Sequence, residues 1–448
     1  KDVKKTLNIK KTLNLAIENH QRNNFETAEQ LYNQIIQLKP DHVESIFLLG
    51  SLSIQTKNFD KAQQLLNKVI QIDPNHAKAH NNLGATFQEL KNNQKAINCY
   101  EKAIKINPKL PDTYCNLSLL YMNSGKHEEA LKYCNRALDL NPQMLKAANL
   151  KSEILRKSIP HWHTPMINDK DRNNFYFSAL KSVIKSNSSV LEIGTGSGLL
   201  SIMAANLGAR EINTCEANSI MATTAKQIIE DNKLSKKINV IQKKSNDIKI
   251  GTDINKPADI LVSEIFSSNL LSEDVLPSLE DAKQRLISKN AKIIPEYGSI
   301  MIAIFGGEDI GKNIYTEKFE NIKLKKFNSI VSKKHVLQRQ DLKVDLMSNT
   351  FEAFRFDFVN KNNFLSENKK IEIKVTKAGR SYGIIQWIKM EMSDGLKHEN
   401  HPLNLTSTST WQKILYLFDE PIELSIGQKI TIIAKHEKNI VWFFLERI

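Results

Sequence analysis

Hydrophobic positions in the first third of the chain recur with a period of 34 residues. Within each period the apolar residues follow helical spacing, as Leu65, Leu66 and Val69 do. The pattern predicts pairs of helices that bury their apolar faces by stacking on the next pair. The prolines and small residues in register are Pro40, Pro74, Pro108 and Pro142; Ala28, Ala62, Ala96 and Ala130; and Ala16, Gly50, Gly84 and Ser118.

This period, with its small positions and the proline that ends each helical pair, resembles the tetratricopeptide repeat (TPR). Four repeats cover about residues 9–144, and residues 145–157 continue as a capping helix, which gives a first domain of residues 1–158. Such arrays usually present a surface to a peptide or a protein, so the resemblance implies a protein partner. A spacer without a partner is the alternative.

Beyond Pro160 the pattern changes to a short apolar strand, a glycine-rich turn and a helical stretch. The turn contains Gly194, Gly196 and Gly198. This order places backbone N–H groups and a helix N-terminus against a ligand, and glycines let the chain approach it closely. A nucleotide-like cofactor is expected, but the dinucleotide fingerprint would need glycine where Leu199 stands.

Three further apolar runs predict the neighbouring strands of a parallel sheet. They cover residues 211–215, followed by Glu216; residues 238–241; and residues 259–263, followed by Glu264. Ligands of such sheets bind outside the carboxyl ends of the strands. Glu216, Glu264 and the segment 244–247 should therefore lie together.

Two glutamates, Glu264 and Glu273, flank the loop after the last of these strands and stand nine residues apart. A guanidinium group has five N–H donors in a planar fork and stays charged at neutral pH. Two facing carboxylates can orient such a group and offset its desolvation. The pair resembles the double-glutamate loop of the protein arginine methyltransferases, and this resemblance implies that the loop is a guanidinium site.

After Pro295 apolar and polar residues alternate, which predicts period-two strands in a mostly antiparallel β-barrel. The alternating runs cover residues 299–305, 354–359, 371–375, 383–392 and 413–418.

Four motifs together resemble the protein arginine methyltransferases. The run E-x-G-x-G-x-G from Glu192 to Gly198 resembles motif I of S-adenosylmethionine-dependent methyltransferases, and residues 264–273 resemble the double-glutamate loop of the arginine-specific family. Residues 162–172 resemble that family's N-terminal helix motif. Thr410 and Trp411 occupy the place of its Thr-His-Trp loop, with threonine where the histidine would be. A Tyr-x-x-Tyr-like pair before His163 is absent.

The resemblance covers residues 160–448, and with the repeats the chain is similar to the TPR-bearing branch of the family. It implies a multidomain fold: an all-α TPR solenoid, then an α/β Rossmann-like domain that binds S-adenosylmethionine (residues 159–295), then a mostly antiparallel β-barrel domain (residues 296–448). It also implies transfer of methyl groups to arginine guanidino nitrogens of a protein substrate. A homodimer is implied too, formed by an arm within residues 306–345.

The resemblance assigns roles to individual residues. Glu264 and Glu273 would be catalytic, and either could accept the proton that the guanidinium loses. Arg172 would pair with the cofactor carboxylate, and Trp162 and His163 would help to cover the site. The other implied cofactor-binding residues are Glu192, Gly194, Gly196, Gly198, Glu216, Ser245 and Asn246, and the implied substrate-pocket residues are Met166, Asp169, Thr410 and Trp411.

The formal net charge of +14 does not by itself indicate nucleic-acid binding. The excess of lysine is spread over the whole chain, with no run of five basic residues, so nucleic acid is not an expected partner. No window approaches the ~18 apolar residues of a membrane span. Four cysteines without a C-x-x-C pair or a histidine cluster predict an intracellular, cytoplasmic protein without structural metal.

Two other functions stay open from the sequence. One is a methyltransferase of another substrate class, since motif I and Glu216 would look the same. The other is a TPR interaction scaffold whose methyltransferase fold is inactive. The double-glutamate loop argues against the first alternative. The intact Gly194, Gly196, Gly198, Glu216 and both loop glutamates argue against the second.

Overall fold

The computed structural model describes residues 2–160, 163–337, 343–404 and 409–446. The chain divides into two compact units, residues 1–160 and 161–448. No helix in the described parts is long and apolar enough to cross a membrane. The predicted order of a helical repeat region, a parallel sheet and an antiparallel sheet region is confirmed.

The first unit consists of antiparallel helix pairs packed in sequence order. Small residues allow the close crossing within a pair, because a Cβ atom on Gly84 would lie 2.7 Å from Cε1 of Tyr100. Asn58 and Asn92 cap the second helix of their pairs through their side chains. The helices are α1 (Asp2–Gln21), α2 (Phe25–Leu38), α3 (Val43–Gln55), α4 (Phe59–Ile72), α5 (Ala77–Glu89), α6 (Asn93–Ile106), α7 (Pro111–Asn123), α8 (His127–Leu140) and α9 (Leu145–Ser158).

The second unit begins with two helices and a five-stranded parallel sheet in the order β3-β2-β1-β4-β5. The strand order reverses between β1 and β4, and open sheets of this type bind ligands at such a point. The elements are α10 (His163–Asn168), α11 (Lys170–Val183), β1 (Ser189–Ile193), α12 (Leu199–Asn206), β2 (Glu211–Cys215), α13 (Ser219–Asp231), β3 (Ile238–Ile241), β4 (Ala258–Ser263), α14 (Val275–Asp281) and β5 (Ile287–Ile294).

The remainder of this unit is antiparallel, with one seven-stranded sheet centred on β6, β13 and β15, one three-stranded sheet, β12-β16-β17, and one two-stranded sheet, β7-β8. Side chains of the parallel sheet and of the two larger antiparallel sheets share one hydrophobic core. The elements are β6 (Tyr297–Gly306), α15 (Glu308–Ile314), β7 (Lys318–Phe319), β8 (Ile322–Lys323), β9 (Lys334–Leu337), β10 (Asp345–Leu346), β11 (Phe351–Asp357), β12 (Glu367–Lys374), β13 (Gly379–Glu391), β14 (Lys397–Glu399), β15 (Lys413–Leu424), β16 (Lys429–His436) and β17 (Val441–Leu445).

Candidate active site

The glycine-rich turn after β1 requires glycine for two separate reasons. Gly194 has φ +87°, and a Cβ atom there would lie 2.5 Å from Cγ2 of Ile265. Gly198 has φ +82° and is the N-cap residue of α12. A side chain at either position would strain the backbone, and at Gly194 it would also collide with the loop after β4.

Glu216 connects the glycine-rich turn to the end of β2. Its Oε2 accepts a hydrogen bond from the backbone N–H of Gly196 at 3.1 Å, and its Oε1 accepts one from Asn218 at 2.8 Å. Glu216 lines a cavity of about 320 Å³ together with Gly194 and Gly196, at the carboxyl edge of the parallel sheet. The cavity brings together five of the eight predicted cofactor-binding residues, Gly194, Gly196, Glu216, Ser245 and Asn246, whereas Arg172, Glu192 and Gly198 do not line it.

The 245–247 turn is held by a residue that the sequence reasoning missed. The guanidinium of Arg285 donates to the backbone carbonyls of Ser245 at 3.0 Å and of Asn246 at 2.8 Å. The same guanidinium is ion-paired with Asp281 one helical turn before it. Arg285 therefore fixes the wall of the cavity from a π-helical turn distant in sequence.

Glu192 does not line this cavity. Its Oε2 accepts hydrogen bonds from the hydroxyls of Ser201 in α12 and of Thr214 in β2, the latter at 2.8 Å, and the Thr214 hydroxyl is also bonded to that of Thr195 in the glycine-rich turn. Burial raises the pKa of Glu192 to about 7. The contacts of Glu192 in the structure are those of a residue that supports the turn, and its predicted contact with the cofactor stays a prediction.

Arg172 lies in the first turn of α11 and forms an ion pair with Glu264, with 3.1 Å between Nη1 and Oε2. Asp169 caps this helix by accepting a hydrogen bond from the N–H of Arg172. Apart from this ion pair, the two buried atoms Arg172 Nη1 and Glu264 Oε1 make no hydrogen bond within the described part of the chain. Both therefore retain bonding capacity toward a ligand.

Burial is the main influence on the two loop glutamates. It raises the pKa of Glu264 to about 7, against the opposing effect of the Arg172 charge. Burial, with the nearby charge of Glu216, also raises the pKa of Glu273.

The backbone of Glu273 is left-handed, with φ +70°, a conformation that costs free energy in a residue other than glycine. The loop is held by Asn269, whose Oδ1 accepts hydrogen bonds from the N–H groups of residues 271 and 272.

A second cavity, of about 370 Å³, lies on the other side of the two glutamates. Met166, Glu264, Ile265 and Glu273 line both cavities. Two molecules bound in the two spaces would thus meet at the pair of carboxylates.

The predicted Thr-Trp segment forms part of the wall of the second cavity. The N–H of Thr410 donates to Oδ2 of Asp169 at 3.0 Å, and the Thr410 hydroxyl lies 3.4 Å from the same atom. The indole N–H of Trp411 donates to the backbone carbonyl of Phe266 in the double-glutamate loop at 2.9 Å. These contacts join segments that are 241 and 145 residues apart in sequence. Trp162 lies outside the described residues, while His163 lines the first cavity.

Two more residues near the site carried no sequence signal. The hydroxyl of Tyr176 donates to the carbonyl of Ser263 at the end of β4, at 3.0 Å. His398 is buried, with its ring centroid 5.1 Å from that of Trp411. Neither residue belongs to a motif, so only the tertiary structure could reveal them.

Comparisons with known proteins agree with this arrangement. A family model described as Ribosomal protein L11 methyltransferase (PrmA) matches residues 174–294, and one described as Tetratricopeptide repeat protein 21 C-terminal ARM domain matches residues 39–159. An arginine N(omega)-methyltransferase of Streptomyces achromogenes subsp. streptozoticus is 27% identical over 64% of this chain and 78% of its own length. The chain is a relative of the protein arginine methyltransferases.

Other arginine methyltransferases match a smaller part of their own length. Protein arginine N-methyltransferase 7 of Oryza sativa subsp. indica is 32% identical over 51% of this chain and 34% of its own length. The protein of the same name from Bos taurus is 26% identical over 66% of this chain and 46% of its own length. The chain thus spans about a third to a half of these relatives.

Two solved arginine methyltransferases share the fold. The PRMT1 enzyme-prozyme heterotetrameric complex of Trypanosoma brucei with AdoHcy superposes with a TM-score of 0.53 at 23% identity, covering 61% of this chain and 86% of that chain. Protein arginine methyltransferase 10 of Arabidopsis thaliana superposes with a TM-score of 0.52 at 17% identity, covering 65% and 98%. At these identities the likeness establishes the fold.

Proposed function

We propose that the protein transfers a methyl group from S-adenosylmethionine to a guanidino nitrogen of arginine. The observation that carries the proposal is the meeting of two cavities at Glu264 and Glu273. One cavity has the glycine-rich turn and the acidic residue after β2 that suit a nucleoside. The other has two buried carboxylates that suit a guanidinium.

The residues of the first cavity fit S-adenosylmethionine. Glu216 can exchange its bond to the Gly196 N–H for bonds to ribose hydroxyls, and the hydrogen-bonding capacity of buried Arg172 Nη1 suits a carboxylate. Ser245 and Asn246 line the same cavity, and we assign them to the base. When bound, S-adenosylmethionine supplies a methyl group on a positively charged sulfur. The solved Trypanosoma brucei relative is a complex with AdoHcy.

The chain contributes orientation, exclusion of water and a proton acceptor. Glu264 and Glu273 hold the guanidinium so that one of its nitrogens faces the methyl donor in the first cavity. Holding the two reactants close and aligned in this way supplies a large part of the rate enhancement. An arginine that gains a methyl group must lose a proton, because a dication is untenable in a buried site. Glu264, with a pKa raised to about 7 by burial, is placed to take it.

The proposal extends to partners. We assign the repeat unit to a protein partner, supported by a row of polar side chains that links α5, α7 and α9. Asn116 donates to Asn81 at 3.3 Å, and Lys146 donates to Asn116 at 2.8 Å. We assign the segment 315–330 to a homodimer contact, since Phe319, Ile322, Phe327 and Ile330 are each more than half exposed.

Replacing Glu273 by Gln tests the function, because it removes a carboxylate without leaving Arg172 unpaired. We expect methylation of arginine to be lost while AdoHcy still binds, as measured by mass spectrometry and calorimetry. Glu264→Gln should have the same effect on activity, with an added loss of stability because a buried guanidinium loses its partner. Glu211→Gln is the matched control, because Glu211 lies at the start of β2, at the end of the strand away from the two cavities. Retained turnover in Glu273→Gln, or labelling of a substrate that lacks arginine, would reject the proposal.

A further inference from the structure

The second cavity has opposite charges on two of its walls. Glu264 and Glu273 lie on one wall, and Lys334, the first residue of β9, lies on another. Lys334 is the one cationic side chain among the described residues that line this cavity. The proposed reaction uses both carboxylates and gives the lysine no role.

The sheet fixes the direction of Lys334. Strand β9 pairs antiparallel with β15, with Lys334 opposite Tyr416 and Val336 opposite Ile414. Side chains on one face of a sheet alternate with those on the other, and Lys334, Val336 and Ile414 all line the cavity. The lysine is therefore part of the cavity wall rather than a residue of the outer surface.

Lys334 is held against aromatic rings and has no acidic partner in the described part of the chain. Its Nζ lies 5.3 Å from the ring centroid of Tyr416 and 5.8 Å from that of Trp442. The Tyr416 ring is itself fixed by a hydrogen bond from its hydroxyl to Gln386 at 2.8 Å. By contrast, Lys325 is 2.9 Å from a carboxylate oxygen of Glu420.

An ammonium group in this position is costly without a counter-ion. Burial lowers the pKa of Lys334, which shows that its charged form is poorly solvated there. Cation–π contacts offset only part of the lost hydration. A carboxylate that enters the cavity would supply the missing counter-charge, and one edge of the cavity is open because Val336 is 46% exposed.

We propose that Lys334 binds a carboxylate of the substrate, so that the enzyme prefers an arginine that presents a carboxylate close to its guanidinium. Two sources share this chemistry: the α-carboxylate of free arginine, and an acidic side chain next to arginine in a peptide. The inference rests on the proposed function and adds to it a rule for substrate choice.

The test compares matched substrates on the full chain. Arginine is compared with arginine amide, and a peptide with Asp beside arginine is compared with the same peptide carrying Asn. We expect kcat/KM to favour the carboxylate member of at least one pair by about tenfold or more, as for a hydrogen bond between charged groups. The ratio should fall to about one in Lys334→Met and in Lys334→Gln, and should largely persist in Lys334→Arg.

Lys333→Met is the matched control, since it removes the same charge from the adjacent residue. Lys333 lies near Asp419, with 3.9 Å between Nζ and Oδ1, and does not line the cavity, so the ratio should stay as in the wild type. Calorimetry with AdoHcy shows that each variant is folded. If the kcat/KM ratio exceeds one only for arginine against arginine amide, the carboxylate is that of free arginine. If the ratio exceeds one only for the Asp peptide against the Asn peptide, the carboxylate is that of an acidic neighbour.

Two results would overturn the inference alone: turnover of all four substrates by the wild type without preference, or a preference that survives in both Lys334→Met and Lys334→Gln. If the wild type binds AdoHcy but methylates none of the four substrates, the proposed function fails and the inference fails with it.

Discussion

Arg172 and Glu264 form a buried ion pair, with 3.1 Å between Nη1 and Oε2 and side chains that are 3% and 7% exposed. The pair joins the two cavities, because Glu264 lines both and Arg172 supports it from α11. The guanidinium has five donors, so it can serve Glu264 and a cofactor carboxylate together. Occupation of the cofactor cavity would then change the electrostatic environment of the carboxylate that receives the substrate.

The pH dependence of activity follows from this carboxylate. Burial raises the pKa of Glu264 to about 7, and only the ionised form offers a full negative charge to a guanidinium. We therefore expect kcat/KM for arginine to rise with pH and to level off above neutrality, as measured between about pH 5.5 and 8.5. A profile that is flat over this range, or one that falls as the pH rises toward 8, would contradict the assignment.

The sequence predicted many of the helices and strands whose residues follow a local pattern of apolar positions or glycines. The period of 34 located the helix pairs, the glycine-rich turn located β1 and α12, and the alternation after Pro295 located β6, β11, β12, β13 and β15 but missed β16 and β17. The edge that gathers Glu216 and Glu264 followed from the rule for parallel sheets.

Contacts between distant segments could not be predicted in this way. Arg285 reaches the carbonyl of Ser245 from 40 residues away, and Lys334 reaches its cavity through pairing with β15. Glu192 belongs to motif I by sequence, yet its carboxylate accepts from the hydroxyls of Ser201 and Thr214 and does not line the first cavity. Such roles depend on side-chain packing, which no local period encodes.

Glu216→Ala should weaken cofactor binding. The carboxylate accepts two backbone hydrogen bonds in the structure and is assigned to the ribose, so its loss should cost ~1.5–3 kcal/mol, typical of a hydrogen bond to a charged group. Calorimetric titration with S-adenosylmethionine measures the change. Glu211→Ala, at the start of the same strand, is the control and should bind like the wild type. Equal affinities in the two variants would argue against the assigned site.

Removal of residues 1–160 tests the repeat unit. Because the chain divides into two compact units at this point, we expect the remaining part to bind AdoHcy and to methylate a small arginine substrate. Turnover of the native protein substrate should fall, since docking would be lost while the chemical site is kept. Binding of AdoHcy by the truncated chain is the control. Undiminished activity on the native substrate would favour a repeat unit that acts only as a spacer.

The exposed apolar residues of segment 315–330 predict an oligomer. Phe327 and Ile330 are 57% and 78% exposed. Burial of each of these side chains in an interface would stabilise the dimer by about 1.5–3 kcal/mol. We expect the double variant Phe327→Ser, Ile330→Ser to shift a dimer toward monomer in sedimentation experiments. Leu365→Ser and Ile426→Ser replace equally exposed residues elsewhere and serve as controls. A monomeric wild type at micromolar concentration would reject the dimer.

The type of product should follow from the absence of an imidazole at position 410, where threonine stands. In the asymmetric-dimethylating members of the family that it resembles, a histidine at this position is expected to pair with the carboxylate corresponding to Asp169. Here the N–H of Thr410 makes that contact at 3.0 Å and its hydroxyl lies at 3.4 Å, so the carboxylate is engaged without an imidazole. We expect monomethylarginine as the first product, symmetric dimethylarginine as any further product, and little asymmetric product.

Two variants test this expectation. Thr410→Ala keeps the backbone N–H and should preserve the product distribution. Asp169→Ala removes both the acceptor of that N–H and the cap of α11, and the loss of the cap should cost about 1 kcal/mol of stability. Mass spectrometric separation of the isomers after long incubation measures the outcome, and a dominant asymmetric dimethyl product would refute the role of Thr410 while leaving arginine as the substrate.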